Sequence, residues 1–444
     1  MSDGPMDDLL KTAEIACQSA MKTGAHFADA FVERGRDVAV SVEKNAIDAT
    51  GSRTSASISV RAFANGGTGW WSTSTIAEEA ARTAGEEAAR LARSAEPDPD
   101  FVSLVAPQAY PEVEGLYDDA LAELSGPQVA NWITMSIDEA REVASDALVS
   151  GEAEAFWREG AIANSLGVQA VRRTTRASVY AQVVVRRNGD VGSFYEWDSA
   201  RRLADLAPAG IGTKAASEAL RYLKSRPVRT ATLPVVFGPL AARALFRGLC
   251  AAASAEDVQR QRSFLVGMKG ERVAADVVTL VDDPLISGGL SSGRFDEDGF
   301  PHRRITLVEQ GILQTYLHSS YTANKSGEAN TGHATRVGIA PTNVNPLVGS
   351  RTAVDIISEV EDGIYVELGQ PAPDTASGQI SALVDAGFRI EKGEVTYPLE
   401  STMVAGTALE VLQEIDAISS DYRAEPGLVL PTVRVRSMRV ASRD

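Results

Sequence analysis

Residues 65–71, NGGTGWW, decide the fold of the first half of the chain, and residues 188–195, NGDVGSFY, repeat the same pattern. Asn-Gly is a strong signal for a two-residue β-hairpin turn, because both residues tolerate the positive φ that such a turn requires. Each stretch has the form N-G-x-x-G and then continues into aromatic residues. The two stretches therefore predict two β-hairpins at corresponding places in the chain.

The segments around each turn favour strands before it and a helix after it. Residues 57–63, SISVRAF, alternate polar and apolar side chains, as in a half-buried strand. An alanine-rich segment follows each hairpin, at 78–92 and at 214–223, and is typical of a helix packed on a sheet. Thr75 and Glu78 have the spacing of a capping box, which predicts that the first of these helices begins at Thr75.

The same order of elements recurs across residues 6–225: a helix, strands, a hairpin turn and a second helix. This recurrence indicates an internal duplication, but Asn-Gly turns are common, so coincidence is the open alternative. A duplicated unit of this kind predicts an N-terminal α/β domain with a largely antiparallel sheet.

The second half, from about position 230, has more strand signals than helix signals, and glycine is frequent. Its helices are expected to include 240–254 and 404–416. These features favour a β-rich domain that resembles a barrel or a sandwich, with inserted helices. We therefore predict an α+β chain with two domains: an N-terminal α/β domain over 1–228 and a C-terminal β-rich domain over 229–444.

The composition excludes several classes of partner. The 444 residues include 43 lysines and arginines against 60 aspartates and glutamates, a formal net charge of −17. An acidic surface repels phosphate groups, which argues against nucleic acid and anionic membranes. No run of 18 apolar residues occurs, and the acidic first residues do not resemble a signal peptide. Cys17 and Cys250 are expected to be small buried residues in a reducing compartment, so we expect a cytoplasmic protein.

Few residues of the chain are suited to bind a metal. The four histidines, His26, His302, His318 and His333, are not spaced i,i+3 or i,i+4 from one another or from a cysteine. A zinc site would therefore need distant loops to converge. Residues 282–300 are rich in acids and glycine but lack the terminal glutamate of a calcium loop. We interpret them as a glycine-rich loop that ends in an Asp-Gly turn.

The polar segment 330–336, NTGHATR, has no strong helix or strand signal. Thr331, Gly332, His333 and Arg336 are candidate contacts for a substrate or a partner, because such a loop can present backbone and side-chain donors together. A plain connection between two elements is the equally open alternative.

Several longer stretches together resemble the TldD/PmbA family, and the likeness covers nearly the whole chain. They include VVFGPLAARALF (235–246), DDPLISGGLSSGRFDEDGFPHRRITLVEQG (282–311), TGHATR (331–336), TNVNPLVGS (342–350) and GFRIEKGEVTYPLESTMVAG (387–406). Members of this family are described as modulators of DNA gyrase or as metallopeptidases. The resemblance implies an N-terminal α/β domain and a C-terminal β-rich domain. The acidic composition argues against direct contact with DNA.

In the zinc-bearing TldD branch of this family, the helix after the V-V-x-G-P strand carries the motif H-E-x-x-x-H. Counted without a gap from Val235, the three motif positions are Arg247, Gly248 and Ala252. The late cysteine ligand of that branch is also missing from 421–431, DYRAEPGLVLP. The resemblance therefore implies the PmbA branch, also called TldE, with no cofactor in this chain and zinc in a partner subunit.

The resemblance implies a non-catalytic subunit of a zinc metallopeptidase, paired with a TldD-like subunit, that helps to process unfolded peptides or a peptide-like natural-product precursor. Arg243 and Arg247, one turn apart in an otherwise apolar helix, are candidates for binding a carboxylate or for a subunit interface. A solvent-facing stripe is the alternative. Two other functions remain open: an independent enzyme of secondary metabolism with a non-zinc site around His333, and a homodimeric peptide-binding protein.

Overall fold

The structure is a computed structural model that describes residues 6–442. Its N-terminal half is a six-stranded sheet in which every neighbouring pair of strands is antiparallel, as predicted. The strand order is β3-β2-β1-β4-β5-β6, with bounds β1 (Phe27–Glu43), β2 (Ala46–Ala64), β3 (Gly67–Thr73), β4 (Leu148–Asn164), β5 (Gln169–Arg187) and β6 (Asp190–Ala200). The helices of this half are α1 (Asp7–Lys22), α2 (Glu78–Ser94), α3 (Asp119–Ala122), α4 (Gly126–Val143) and α5 (Ile211–Arg221).

The N-terminal half consists of two units with the same order of elements. Each unit is a helix, a meander of three antiparallel strands and a second helix, and the units meet where β1 pairs with β4. Asn65 and Gly66 have φ values of 53° and 81°, and Asn188 and Gly189 have φ values of 54° and 90°. Both Asn-Gly pairs are therefore left-handed, as a type I′ hairpin turn requires, and both predicted turns are confirmed.

The last glycine of each N-G-x-x-G stretch lets a helix lie directly on the hairpin. A Cβ atom at Gly69 would be 2.1 Å from the carbonyl oxygen of Ala88 in α2. A Cβ atom at Gly192 would be 1.9 Å from the carbonyl oxygen of Ala219 in α5. The same close contact in both units explains why the pattern recurs and favours duplication over coincidence.

The C-terminal half adds thirteen named strands within the described residues. Their bounds are β7 (Ala231–Phe237), β8 (Leu280–Asp282), β9 (Ile305–Glu309), β10 (Ile312–Leu313), β11 (Ala334–Thr335), β12 (Gly338–Ile339), β13 (Val344–Pro346), β14 (Asp362–Gly369), β15 (Gln379–Glu391), β16 (Glu394–Pro398), β17 (Thr402–Thr407), β18 (Ile415–Glu425) and β19 (Leu428–Ser442). The helices are α6 (Pro239–Ala252), α7 (Ala255–Gln259), α8 (Ser320–Ser326), α9 (Ala353–Ser358) and α10 (Ala408–Gln413).

Five of these strands form a closed ring, so the predicted barrel-like arrangement is confirmed. The ring runs β14-β7-β19-β17-β15, and β15 pairs again with β14. Only the β7–β14 pair of the ring is parallel. A second sheet, in the order β10-β9-β8-β13, leaves β13 at its edge.

Two details of the predicted helices are wrong. Helix α2 begins at Glu78, because the chain is still extended at its N-cap, Ala77, so Thr75 does not form a capping box. The segment 404–416 is not one helix but is divided among β17, α10 and the start of β18. The hydrogen bonds of β17 with β15 and β19 outweigh the helix preference of this segment.

Helix α6 is a core helix, as its composition predicts. Pro239 occupies its first turn, where the fixed φ and the missing N–H of proline are tolerated. Leu245, Leu249 and Cys250 are buried in the main core of the C-terminal half. Cys17 is also buried, so both cysteines have the environment expected of them. Within residues 6–442, no helix combines the length and the apolar character that crossing a membrane would take.

Candidate functional site

A cavity of about 330 Å³ lies beside helix α6. Its walls come from α6, from the edge strand β13, and from the hairpin that joins β18 to β19, while β5 of the N-terminal sheet contributes one side chain. The lining residues are Arg176, Ala242, Arg243, Phe246, Arg247, Leu290, Ser291, Thr342, Asn343, Val344, Pro346, Pro426, Leu428, Val429, Leu430 and Pro431. As far as residues 6–442 form it, this lining contains three arginines and no acidic residue, although the chain has a net charge of −17.

The fold of α6 directs two of these arginines towards the cavity. Leu245 and Leu249 anchor the helix in the core. Arg243 and Arg247, one turn apart, therefore lie on another face and line the cavity. The polar stripe that the sequence predicts is thus part of a concave surface.

Arg243 is held in place by a buried carboxylate. Its Nη1 atom lies 3.1 Å from Oε2 of Glu425, whose side chain is only 9% exposed. The other oxygen of Glu425 lies 3.1 Å from Nε of Arg423. Burial lowers the pKa of Arg243, and the nearby cations Arg247 and Arg176 act in the same direction, while Glu425 opposes them. The local charge is therefore only partly balanced by the protein.

The other two cavity arginines have no such partner. Among residues 6–442, neither Arg176 nor Arg247 has an acidic partner or a side-chain hydrogen bond. The Nε atom of Arg176 is buried without a hydrogen-bond acceptor. A buried donor without an acceptor costs roughly 1–3 kcal/mol of folding free energy, and more for a charged group. These two guanidinium groups are therefore available to donate to an anionic ligand.

A second recess, of about 230 Å³, adjoins the first and shares Arg243 and Arg247 with it. Tyr195 and Trp197 of β6 form its aromatic side, with their rings stacked 5.8 Å apart. The guanidinium of Arg423 lies 4.6 Å from the centre of the Trp197 ring, which fixes that ring by a cation–π contact. The two arginines of α6 thus lie between the larger cavity and an aromatic recess.

The three positions of the family's zinc motif do not fit a zinc ion. Arg247 is exposed at the cavity, and a guanidinium is a donor with no lone pair to offer a metal. At Gly248 a Cβ atom would lie 2.4 Å from Cδ of Pro373. Ala252 is completely buried in the core. Within the described part of the chain, no group of three or more histidine, cysteine, aspartate or glutamate side chains is placed to hold a metal.

Thr331 and His333 lie inside the protein rather than on a surface loop. They are 3% and 2% exposed. Nδ1 of His333 lies 3.0 Å from the hydroxyl oxygen of Thr331, and Nε2 lies 3.5 Å from a carboxylate oxygen of Asp282. Burial acts to raise the pKa of Asp282, but the contact with His333 and hydrogen bonds from Thr342 lower it. Thr342 lines the arginine cavity, so this polar cluster lies directly behind the cavity wall.

Gly332 contributes a backbone hydrogen bond next to this polar cluster. Its φ is 75°, a left-handed conformation that favours glycine. Its carbonyl oxygen lies 2.7 Å from Nδ1 of His302. Burial, together with nearby His333, lowers the pKa of His302 to about 4, so this ring is neutral at physiological pH. The contact is structural and fixes the loop against the neighbouring chain.

Arg336, the last candidate in this segment, joins the two halves of the chain. Its guanidinium lies 2.6 Å from Asp29 of β1. Arg61 of β2 also pairs with Asp29, at 2.8 Å, and with Asp298 of the C-terminal half, at 2.6 Å. The side chains of Asp29 and Arg336 are only 2% and 11% exposed. The candidates of 331–336 are therefore brought together as an internal cluster and a tie between halves, apart from the arginine stripe.

In the acidic loop 282–300, the carboxylate of Asp296 accepts hydrogen bonds from backbone N–H groups. One oxygen of Asp296 accepts hydrogen bonds of 2.9 Å from the N–H groups of Asp298 and Phe300. The other accepts one of 3.1 Å from the N–H group of Ala334. Gly299 has a φ of 82° at the turn. The loop therefore ends in the predicted Asp-Gly turn.

Several residues of the site could not be found from the sequence. Arg176 comes from β5, some 70 positions before Arg243, and Glu425 comes from the far end of the chain. Tyr195 and Trp197 have the alternation of one strand face, but nothing local indicates that α6 lies beside them. Only the three-dimensional contacts of the two halves reveal this site.

Family models match three consecutive parts of the chain. They are described as domain 1, the central domain and the C-terminal domain of the PmbA/TldA metallopeptidases, and they match residues 28–95, 125–223 and 230–442. Together they span most of the chain, including both units of the N-terminal half and the whole barrel.

Individual relatives agree with these models. The chain is 28% identical over 281 residues to "Metalloprotease PmbA" of Escherichia coli O157:H7. This match covers 63% of this chain and 61% of that protein. It is 25% identical over 453 residues to "Metalloprotease PmbA homolog" of Haemophilus influenzae, with 98% and 96% covered. Among solved structures, TldE from Thermococcus kodakarensis superimposes with a TM-score of 0.88 at 27% identity, covering 97% of this chain and 100% of that one.

Proposed function

Because the chain belongs to the PmbA/TldD family of metallopeptidases, we propose that it is a non-catalytic subunit of a two-subunit zinc peptidase. In this proposal a TldD-like partner carries the zinc, and both chains form the cleft that takes up an unfolded peptide or a peptide-like precursor. The observation that carries the proposal is the occupation of the zinc-motif positions by Arg247, Gly248 and Ala252.

Each of these positions is unsuited to zinc for its own physical reason. A protonated guanidinium repels a divalent cation and cannot ligate it. At position 248 the ring of Pro373 takes the space in which a glutamate would have to begin. At position 252 a side chain longer than alanine would overfill a closed core. These reasons support a chain that contributes binding surface rather than a metal.

What this chain's own residues do in the proposal is bind and orient the peptide. Strand β13 lines the cavity with Val344 and Pro346, and Asn345 ties this strand to the hairpin that joins β18 to β19. Arg243 and Arg247 supply positive charge in the same cavity, where they can hold an anionic group of the peptide. Zinc in the partner would supply the activated water for hydrolysis.

The proposal is tested by purifying the chain, under native conditions, from the cells that make it. We expect a partner whose sequence contains H-E-x-x-x-H, and we expect the pair, but not this chain alone, to degrade unfolded casein. A pair whose partner has its motif glutamate replaced by glutamine is the control and should be inactive. Hydrolysis of casein by this chain alone would overturn the proposal.

A homodimeric peptide-binding protein is the second candidate, favoured by a cavity rich in binding groups. Recovery of a self-dimer without an H-E-x-x-x-H partner would support it. An independent enzyme built around His333 has less support, because the side chains of His333 and Asp282 are both fully buried. The variant His333→Ala would decide that case, since any turnover by the chain alone should then disappear.

A further inference from the structure

We propose that the cavity beside α6 binds the C-terminal carboxylate of a peptide, with Arg176, Arg243 and Arg247 as the anion-binding groups. The inference deepens the function proposed above, on which its biological meaning rests, because it names the end of the peptide that this subunit holds. The binding itself requires only this chain, and it can therefore be measured without the partner.

The lining of the cavity carries positive charge that acidic residues balance only in part. Three guanidinium groups line it, no acid does so within the described residues, and Arg176 and Arg247 have no acceptor of their own. The chain as a whole has 17 more acidic than basic residues, so the positive charge of this cavity is a local feature. An anion that enters the cavity would accept charge-assisted hydrogen bonds from guanidinium groups that no acidic side chain of the described residues occupies.

The chemistry of the lining indicates which class of anion the cavity can bind. Arginine binds carboxylates through two parallel N–H donors, a geometry that matches a single carboxylate group. The remainder of the lining is largely apolar, with ten alanine, valine, leucine, phenylalanine and proline residues among sixteen. Within residues 6–442 no lysine lines the cavity, and the glycine-rich loop 282–300 contributes only Leu290 and Ser291 to it. A carboxylate attached to an apolar group suits these walls better than a phosphate.

The cavity also has room for the residue that carries the carboxylate. Phe246 and Leu428 can cover an apolar last side chain, and a volume of about 330 Å³ suits one residue with its carboxylate. The aromatic recess of Tyr195 and Trp197, which shares Arg243 and Arg247, continues the surface.

Glu425 has a positioning role in this arrangement. It bonds one terminal nitrogen of Arg243 from inside the protein, which fixes the guanidinium and leaves its other donors free for the ligand. Arg423 holds the second oxygen of Glu425, so the carboxylate is shared between two arginines and neutralises the cavity only in part. The nearest acid therefore orients the site without competing with a ligand.

The test uses the full chain and a fluorescein-labelled pentapeptide, Gly-Ala-Gly-Ala-Leu, measured by fluorescence anisotropy. The peptide with a free C-terminal carboxylate should bind, and the same peptide ending in an amide should bind at least about tenfold more weakly, as expected for lost charge-assisted hydrogen bonds. Arg247→Gln and Arg176→Gln should each weaken the carboxylate peptide about tenfold and should leave the amide peptide unchanged.

The matched control is Arg436→Gln, which removes an exposed arginine paired with Glu414 outside the cavity and should not change binding. Arg247→Lys should restore part of the affinity, because charge returns without the planar donors. Circular dichroism spectra of all variants should match the wild type, since neither Arg176 nor Arg247 has a side-chain partner in the described structure.

Equal binding of the carboxylate and amide peptides, or no binding of either at millimolar concentration, would overturn the inference. Displacement of the peptide by inorganic phosphate at micromolar concentration would also overturn it, because the site would then be a phosphate site. These outcomes are distinct from failure of the proposed function. Casein hydrolysis by the pair, without carboxylate binding by this chain, would remove only the inference. Carboxylate binding by this chain, together with a native purification that recovers no zinc-bearing partner, would remove only the function.

Discussion

Gly248 of helix α6 lies against Pro373, so closely that a Cβ atom at position 248 would be 2.4 Å from Cδ of the proline and 3.3 Å from its backbone nitrogen. This is the second of the three positions that the family resemblance aligns with the motif H-E-x-x-x-H. The loop that carries Pro373 therefore occupies the space that a catalytic side chain would need. In this chain the loss of the motif and the packing of the helix belong together.

The first prediction is that the motif cannot simply be restored. The triple variant Arg247→His, Gly248→Glu and Ala252→His should have a lower Tm than the wild type and should not retain zinc after dialysis, measured by calorimetry and by elemental analysis. Overpacking at 248 and at the buried position 252 is the physical reason.

The single variant Arg247→His is the control for the triple variant, because position 247 is exposed and should tolerate the change. A triple variant that keeps the wild-type Tm and binds one zinc per chain would contradict the packing argument.

The second prediction concerns the contact that both N-terminal units share. Gly192→Ala should reduce the free energy of unfolding by about 1–3 kcal/mol or more, because the added Cβ meets the carbonyl oxygen of Ala219. Gly51→Ala is the matched control, since nothing lies within 4 Å of a Cβ there, and its effect should stay within about 0.5 kcal/mol. Urea denaturation measures the free energy of unfolding of both variants. Equal losses at Gly192 and Gly51 would show that the close contact with Ala219 does not restrict the residue at position 192.

The third prediction concerns the ion pair between the two halves. Arg336→Gln should lower the free energy of unfolding by about 3 kcal/mol, because it leaves the buried Asp29 with Arg61 alone. Arg436→Gln, which breaks an exposed pair with Glu414, should cost less than about 1 kcal/mol. A cost at Arg336 no greater than at Arg436 would mean that the buried network adds nothing to stability.

The fourth prediction is a pH dependence carried by the same network. Burial acts to raise the pKa of Asp29, but Arg336 and Arg61 outweigh it, so the folded pKa lies below the ordinary value of 3.8. The stabilisation is therefore present above that value and is lost as the pH falls through the folded pKa, because the unfolded chain takes up the proton first.

The variant Asp29→Asn isolates this contribution. The stability advantage of the wild type over the variant should shrink as the pH falls from about 5 to about 3, measured by urea denaturation. A difference in stability between the wild type and the variant that stays constant over this range would show that the charge of Asp29 does not cause it.

Local patterns predict much of this fold because the turns have strong local preferences. The two Asn-Gly pairs identify the hairpins at 65–71 and 188–195, since few other residues adopt a left-handed conformation at low cost. The alanine-rich helices follow from close packing on those hairpins. The segment 404–416 is misjudged because its strand pairs with β15 and β19, which are brought together only by the closed barrel.

The candidate site shows the same limit. Arg243 and Arg247 are recognisable as the polar stripe of an apolar helix, but Arg176 and Glu425 reach them from distant parts of the chain. The polar segment that contains His333 is predicted to be a surface loop, yet His333 is buried. Burial of this kind depends on neighbours that no local pattern encodes.

The most direct test of the central claim is elemental analysis of this chain and of its TldD-like partner, purified separately and then as a pair. We expect about one zinc in each partner chain, zinc far below stoichiometric amounts in this chain alone, and casein hydrolysis only by the pair. Stoichiometric zinc in this chain alone, together with casein hydrolysis that a chelator abolishes, would contradict it.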